Sequence, residues 1–147
     1  VEIVGYLFCT ICMLIALMDM DSFEVDLRVL FILAIIGFYT RVNAVEEAIL
    51  SMMMGLLLYS TVYGVGKWIW KEEVFGIGDV YYLTALGLFF SLGQILFIGL
   101  FSFVIGGGVV ISWMLLVNRN DLHIEIPFAP FISISALLTF LFPIQWI

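Results

Sequence analysis

Charged side chains are scarce, and basic ones scarcest: five Lys and Arg stand in 147 residues against twelve Asp and Glu, for a formal charge of −7. So few cations cannot make the basic stripe along which phosphate backbones bind, which excludes a nucleic-acid partner. Soluble domains are about 25% charged and about 45–50% apolar, whereas this chain is 12% charged and 65% hydrophobic. A water-facing surface cannot be assembled from that supply, so the chain must be an integral membrane protein. Cysteine is nearly absent too. Cys9 and Cys12 lie one helical turn apart in an apolar stretch, where packing explains them and the further ligands of a metal pair are missing.

What the sequence has in abundance is apolar runs, over Val1 to Met18, Leu27 to Tyr39, Ile49 to Val65, Val80 to Val117 and Phe128 to Ile147. The fourth far exceeds the roughly 20 residues that cross a bilayer, so it should fold back on itself. Ser91-Leu92-Gly93-Gln94 is the best polar, Gly-containing break. The pattern predicts a single all-α domain over 1–147, a polytopic membrane protein of about six transmembrane helices at 1–18, 26–40, 46–66, 76–91, 94–117 and 128–147. The second and fourth are short for a span and would begin inside the bundle, where protein or a wet cavity must satisfy their ends. The first run lacks the basic start of a cleaved signal peptide, and Asp19-Met20-Asp21 follows where small residues would be needed. A beginning at Val1 rather than Met raises the expectation of a trimmed start.

With the 19–27 connection on the cytoplasmic side, Arg28, Lys67, Lys71 and Arg119 fall there and Arg41 alone falls opposite. The positive-inside rule then places both termini outside. The same loops and their edges hold Asp19, Asp21, Glu24, Asp26, Glu72, Glu73, Asp79, Asp121 and Glu125, leaving Glu2, Glu46 and Glu47 on the other face. For Glu24, Glu72, Glu73 and Asp121, solvation in a wet loop is explanation enough.

Asp79 is different. Phe75-Gly76-Ile77-Gly78 precedes it and Val80-Tyr81-Tyr82-Leu83 follows, so its carboxylate stands where the chain enters hydrocarbon. Ionisable groups in that setting are functional candidates, and Gly76 and Gly78 permit close backbone approach. The surrounding residues lack both the pattern of a dinucleotide loop and the Lys of a phosphate loop. Asp19 follows Ile15-Ala16-Leu17-Met18 and ends the first apolar helix at a comparable depth. Two carboxylates brought together around a water would hold one proton between them. Such a pair can activate water against a peptide carbonyl while donating a proton to its oxygen. Helix capping or solvation at the two ends is the alternative role for these acids.

Gly76-Ile77-Gly78-Asp79 followed by Leu83-Thr84-Ala85-Leu86-Gly87, Asp19-Met20-Asp21 closing an apolar helix, and Ile126-Pro127-Phe128-Ala129-Pro130-Phe131 opening the last helix occur here in that order. In these features the chain resembles the bacterial type IV prepilin leader peptidases, membrane aspartic proteases of the Gly-x-Gly-Asp class, over nearly its whole length. The resemblance implies catalysis by Asp19 and Asp79, with Asp21 the rival first acid, and no cofactor. It also implies a substrate: a prepilin or pseudopilin precursor whose short basic leader is cut off ahead of its hydrophobic helix, at the cytoplasmic face of the bacterial inner membrane. Two positions depart from the family pattern, Val25-Asp26 standing for Ile-Pro and Tyr81 standing for a lysine. The family's amino-terminal methyltransferase region has no counterpart, so no methylation is implied.

Presenilin-like proteases share the Gly-x-Gly-Asp pattern, but their Tyr-Asp pair and terminal Pro-Ala-Leu motif are missing. A small transporter or channel is the non-enzymatic alternative, which would call for further polar residues aligned along several helices. Asp121, His123 and Glu125 alternate in a short loop and make a weak ligand signature, so no metal is expected. Gly106-Gly107-Gly108, with Gly5, Gly37, Gly55, Gly87 and Gly99, reads as close helix packing. Trp68, Trp70 and Trp146 read as interface anchors, and Pro127 and Pro130 as helix-starting residues. Nothing in the pattern speaks to oligomeric state.

Overall fold

The computed structural model describes residues 2–71, 76–116 and 126–142 and is a bundle of α-helices. These are α1 (Glu2–Ser22), α2 (Leu27–Thr40), α3 (Val45–Trp70), α4 (Ile77–Leu86), α5 (Leu92–Leu116) and α6 (Ala129–Leu141), with a 3-10 turn at Val42–Ala44 before α3. Glu72, Glu73, Arg119, Asp121, His123, Glu125 and Trp146 lie outside the described residues.

The helix number agrees with the sequence pattern, but six full spans do not. Three helices among the described residues are long and apolar enough to cross a bilayer: Ile3–Ser22, Val42–Ile69 and Leu92–Trp113. The described parts of α2, α4 and α6 are 14, 10 and 13 residues long. At 1.5 Å per residue they reach only about 15–21 Å of the roughly 30 Å hydrocarbon core.

The long fourth run does fold back, somewhat earlier than predicted. Helix α4 stops at Leu86 instead of 91, because Gly87 to Phe90 form a turn in which the Gly87 N–H donates to the carbonyls of Leu83 and Thr84. Ser91 then precedes α5, its N–H donating at 3.1 Å to Gln94 Oε1, the bond that the third helical residue's side chain accepts in a capping box. At the other end of the bundle α1 runs four residues past Met18, so Asp19 lies in its last turn rather than beyond it.

Contacts show that neighbouring helices alternate in direction. Phe8 of α1 meets the rings of Phe89 and Phe90 in the α4–α5 turn and of Phe140 near the end of α6. Arg41 pins that same end, donating to the Phe90 carbonyl at 2.7 Å and to Glu47 at 2.6 Å. Helix α4 is the inner member, packed against α2 and α3 and touching α5 and α6. Six of its ten residues are buried.

Two glycines make the α3–α4 approach possible. A Cβ at Gly87 would stand 2.5 Å from the Met52 Cα and 2.7 Å from the Ser51 carbonyl oxygen, and one at Gly55 would stand 2.9 Å from the Leu83 carbonyl oxygen. These are backbone atoms of the facing helix and cannot swing aside. Gly5, Gly37 and Gly99 also meet side chains of other helices closely. In the glycine triplet only Gly106 does, against the rings of Phe128 and Phe131, while Gly107 and Gly108 face open space. Gly87→Ala should therefore destabilise the bundle by about 1–3 kcal/mol, as overpacking does. Gly107→Ala should not, and thermal unfolding of the two variants in the same detergent measures the difference.

Candidate active site

The inward stripe of α1 is Phe8, Cys12, Ile15 and Asp19, all buried and spaced four, three and four residues apart. That spacing keeps side chains on one helical face, so Asp19 continues the core stripe while Asp21, two residues on, is exposed. The helix closes just after it. The Phe23 N–H donates to the Asp19 carbonyl at 3.0 Å with Phe23 in the left-handed region at φ 54°, a C-terminal geometry usually given to glycine.

The Asp19 carboxylate is bound by α6. Its Oδ2 accepts the Ala129 N–H at 2.9 Å, and the carboxylate also accepts from the Phe128 backbone. The first turn of a helix has N–H groups with no partner inside the helix, and Phe128, at the capping position, supplies no side-chain bond to them. Asp19 takes that role from 110 residues away in sequence. Pro130 has no N–H to satisfy, and the Phe131 N–H returns to the Phe128 carbonyl at 3.0 Å. The start of α6 is thereby fully satisfied.

Asp79 lies in the first turn of α4, its N–H donating to the Gly76 carbonyl at 3.2 Å. Gly76 has an extended backbone, which turns the chain into the helix. Asp79 is 5% exposed, as is Asp19, and its Oδ1 is buried without a hydrogen-bond partner. A buried carboxylate oxygen left unpaired is costly. The two acids are near enough to interact electrostatically, and Tyr59 of α3 and Tyr82 of α4 also feel the Asp79 carboxylate. The structure thus brings Asp19 and Asp79 together at one end of the bundle, from α1 and α4.

The two glycines of the motif differ. A Cβ at Gly76 would lie 3.1 Å from Asp79 Oδ2, whereas one at Gly78 would make ordinary contact with the Val25 side chain at 3.4 Å. Tyr81, at the position of the family lysine, is 43% exposed, and its neighbours Val80 and Tyr82 are buried. Asp26 is exposed and caps α2, accepting the Arg28 N–H at 2.8 Å. Aspartate and proline both serve helix starts, so the exchange at this position preserves a boundary. Pro127 and Pro130 are half-buried where α6 begins beside Asp19.

Sequence reasoning missed a chain of polar contacts below the acids. The fully buried Tyr82 hydroxyl lies 2.8 Å from Ser133 Oγ, which donates to the Cys12 carbonyl at 3.0 Å. Helical spacing carried a signal: Tyr82 is three residues after Asp79, and Cys12 is on the stripe that ends at Asp19. No group of three or more His, Cys, Asp or Glu able to hold a metal is found among the described residues.

Two buried carboxylates at one end of the bundle, Asp19 in the last turn of α1 and Asp79 in the first turn of α4 within a Gly-x-Gly-Asp motif, are the arrangement expected of a membrane aspartic protease. The model of the type IV leader peptidase family matches residues 6–111. The chain belongs to that family. No curated protein and no solved structure matches it. As a type IV leader peptidase the chain is an aspartic endopeptidase acting on prepilin- or pseudopilin-type precursors, which displaces the presenilin-like, transporter and channel alternatives. Asp19 and Asp79 fall within the matched residues, while the Pro127–Pro130 segment lies beyond them and meets Asp19 through the Ala129 N–H.

Because Gly76 borders the Asp79 carboxylate and Gly78 does not, Gly76→Ala should lower prepilin cleavage by about 10- to 100-fold, the scale of an ångström-sized misplacement. Gly78→Ala should stay within a few-fold of the parent. Initial cleavage rates of the two variants at equal protein in lipid measure the contrast.

Proposed function

We propose that Asp19 and Asp79 are the catalytic pair of this leader peptidase and that they work at the cytoplasmic face of the inner membrane. The observation that carries this reading is the unpartnered, buried Oδ1 of Asp79 within electrostatic reach of Asp19. A water held there gains an acceptor, and two neighbouring buried carboxylates share one proton. The ionised member takes a proton from the water as the oxygen attacks the scissile carbonyl, and the protonated member gives its proton to the carbonyl oxygen. Collapse of the tetrahedral diol returns a proton to the leaving nitrogen and restores the pair. Asp19, tied to the backbone of α6, is the fixed partner, and Asp79 offers the open oxygen.

The substrate's own design suits this end of the bundle. Its apolar helix can stay in lipid while the basic leader meets the exposed Asp21, Glu24 and Asp26 beside the site. Search is then confined to two dimensions and the scissile bond is brought level with the acids. The acid-bearing end also carries Arg28, Lys67 and Lys71, with Arg41 at the other, which supports a cytoplasmic site and outward termini.

In purified protein reconstituted in lipid, Asp19→Asn and Asp79→Asn should each reduce cleavage of a prepilin-like peptide by at least about 1,000-fold, the scale of losing a central catalytic group. Asp21→Asn should leave kcat within about twofold and raise KM only a few-fold, since it removes one of three exposed charges that meet the leader. Substantial cleavage by either of the first two variants removes that acid from the mechanism. Orientation is tested separately: Val42→Cys should react with a membrane-impermeant thiol reagent on intact cells, and Glu24→Cys only after the inner membrane is opened. The reverse pattern overturns the cytoplasmic placement.

A further inference from the structure

Asp19 and Asp79 stand on different helices that make few direct contacts of their own, so something must hold their carboxylates at a working separation. The candidate lies in α6. At its first residue the Ala129 N–H holds Asp19 Oδ2 at 2.9 Å. One turn later, Ser133 Oγ accepts from the Tyr82 hydroxyl at 2.8 Å and donates its own proton to the Cys12 carbonyl at 3.0 Å. Residues 129 and 133 are four apart and lie on one face, and both are buried. Tyr82 is three residues from Asp79 and so shares its face of α4, while Cys12 is seven residues, two turns, before Asp19 on α1.

We propose that Tyr82 and Ser133 are positioning residues that make α6 the ruler setting the distance between the two acids. The inference rests on the assignment of Asp19 and Asp79 as the catalytic pair. It adds that the rotation of α4, and with it the direction of the Asp79 carboxylate, is fixed by a buried polar cluster in which Tyr82 meets Ser133 of α6 and the Cys12 side chain of α1. Purely apolar packing would leave that rotation weakly specified, because methyl and ring contacts have little directionality, whereas buried hydroxyls must meet their partners in a set geometry. Neither residue touches the reacting atoms, so each acts through Asp79.

Among the described residues, Asp19 from α1, Tyr59 from α3 and Tyr82 from its own helix interact with the Asp79 carboxylate. The described parts of α5 and α6 carry no charged side chain, and Arg28 at the head of α2 is exposed. Weakening the ruler therefore changes chiefly the coupling between the two carboxylates. Closely coupled acids lose their protons in two well-separated steps, and looser coupling draws those steps together. The pH range over which one proton is shared then narrows.

The test uses the full chain in lipid and compares Tyr82→Phe, Ser133→Ala and the double variant for kcat, KM and the pH profile of kcat, with Asp19→Asn and Asp79→Asn in parallel. Each single variant should lower kcat by about 10- to 100-fold with KM unchanged and narrow the pH profile. The double variant should be no worse than Tyr82→Phe, which already removes the link to Ser133. If the aspartate variants are inactive but Tyr82→Phe and Ser133→Ala keep the parental kcat, or lose rate with an unaltered pH profile and additive effects, the ruler is overturned and the catalytic pair stands. If the aspartate variants cleave, the pair falls first and the ruler with it.

Discussion

The constraint on which the rest of the structure depends is the bond between the Asp19 carboxylate and the first amides of α6. A helix whose first residue is buried has N–H groups that water cannot reach, and α6 supplies no side chain of its own to cap them. An acid from α1 does so, and the helix start offers it aligned amide dipoles in return. One contact thus closes the bundle between its first and last described helices and fixes one member of the proposed catalytic pair.

Around that bond the protein solves two opposing demands. The site must admit water and a peptide, yet it is built where unpaired polar groups are expensive. The solution is a polar end set on an apolar body. The acids, Gly76 and the capping amides gather at one end, while the other is closed by the Phe8, Phe89, Phe90 and Phe140 rings and the grip of Arg41 on Phe90 and Glu47. Between them α3 and α4 approach through glycine, leaving the inner helix buried on most of its surface. Rigidity at the closed end leaves catalytic geometry to be set by α1, α4 and α6.

Much of this was legible in the residues. The two boundary acids, the break in the long apolar run and the glycines as packing positions follow from polarity and spacing alone, and the family follows from motif order. Three things were not. A charge after Met18 reads as the end of a membrane helix, yet Asp19 faces inward and the helix runs on to Ser22. Of about six transmembrane helices, the apolar runs mark α2 and α4 as short, but nothing in the run of Phe128 to Ile147 announces that the described part of α6 is short as well. The contacts of Asp19 with Ala129 and of Tyr82 with Ser133 join residues 110 and 51 positions apart, and no local pattern announces such pairings.

The brevity of α4 has a consequence for how the protein is made. At ten residues it is about half the length that the hydrocarbon core asks of an autonomous span, and its start bears a carboxylate. Such a segment gains little by leaving the insertion machinery for lipid alone. It must be handed over together with α3 or α5, whose close-fitting surfaces receive it. A nascent chain therefore carries Asp79 into the bilayer only as its neighbours arrive.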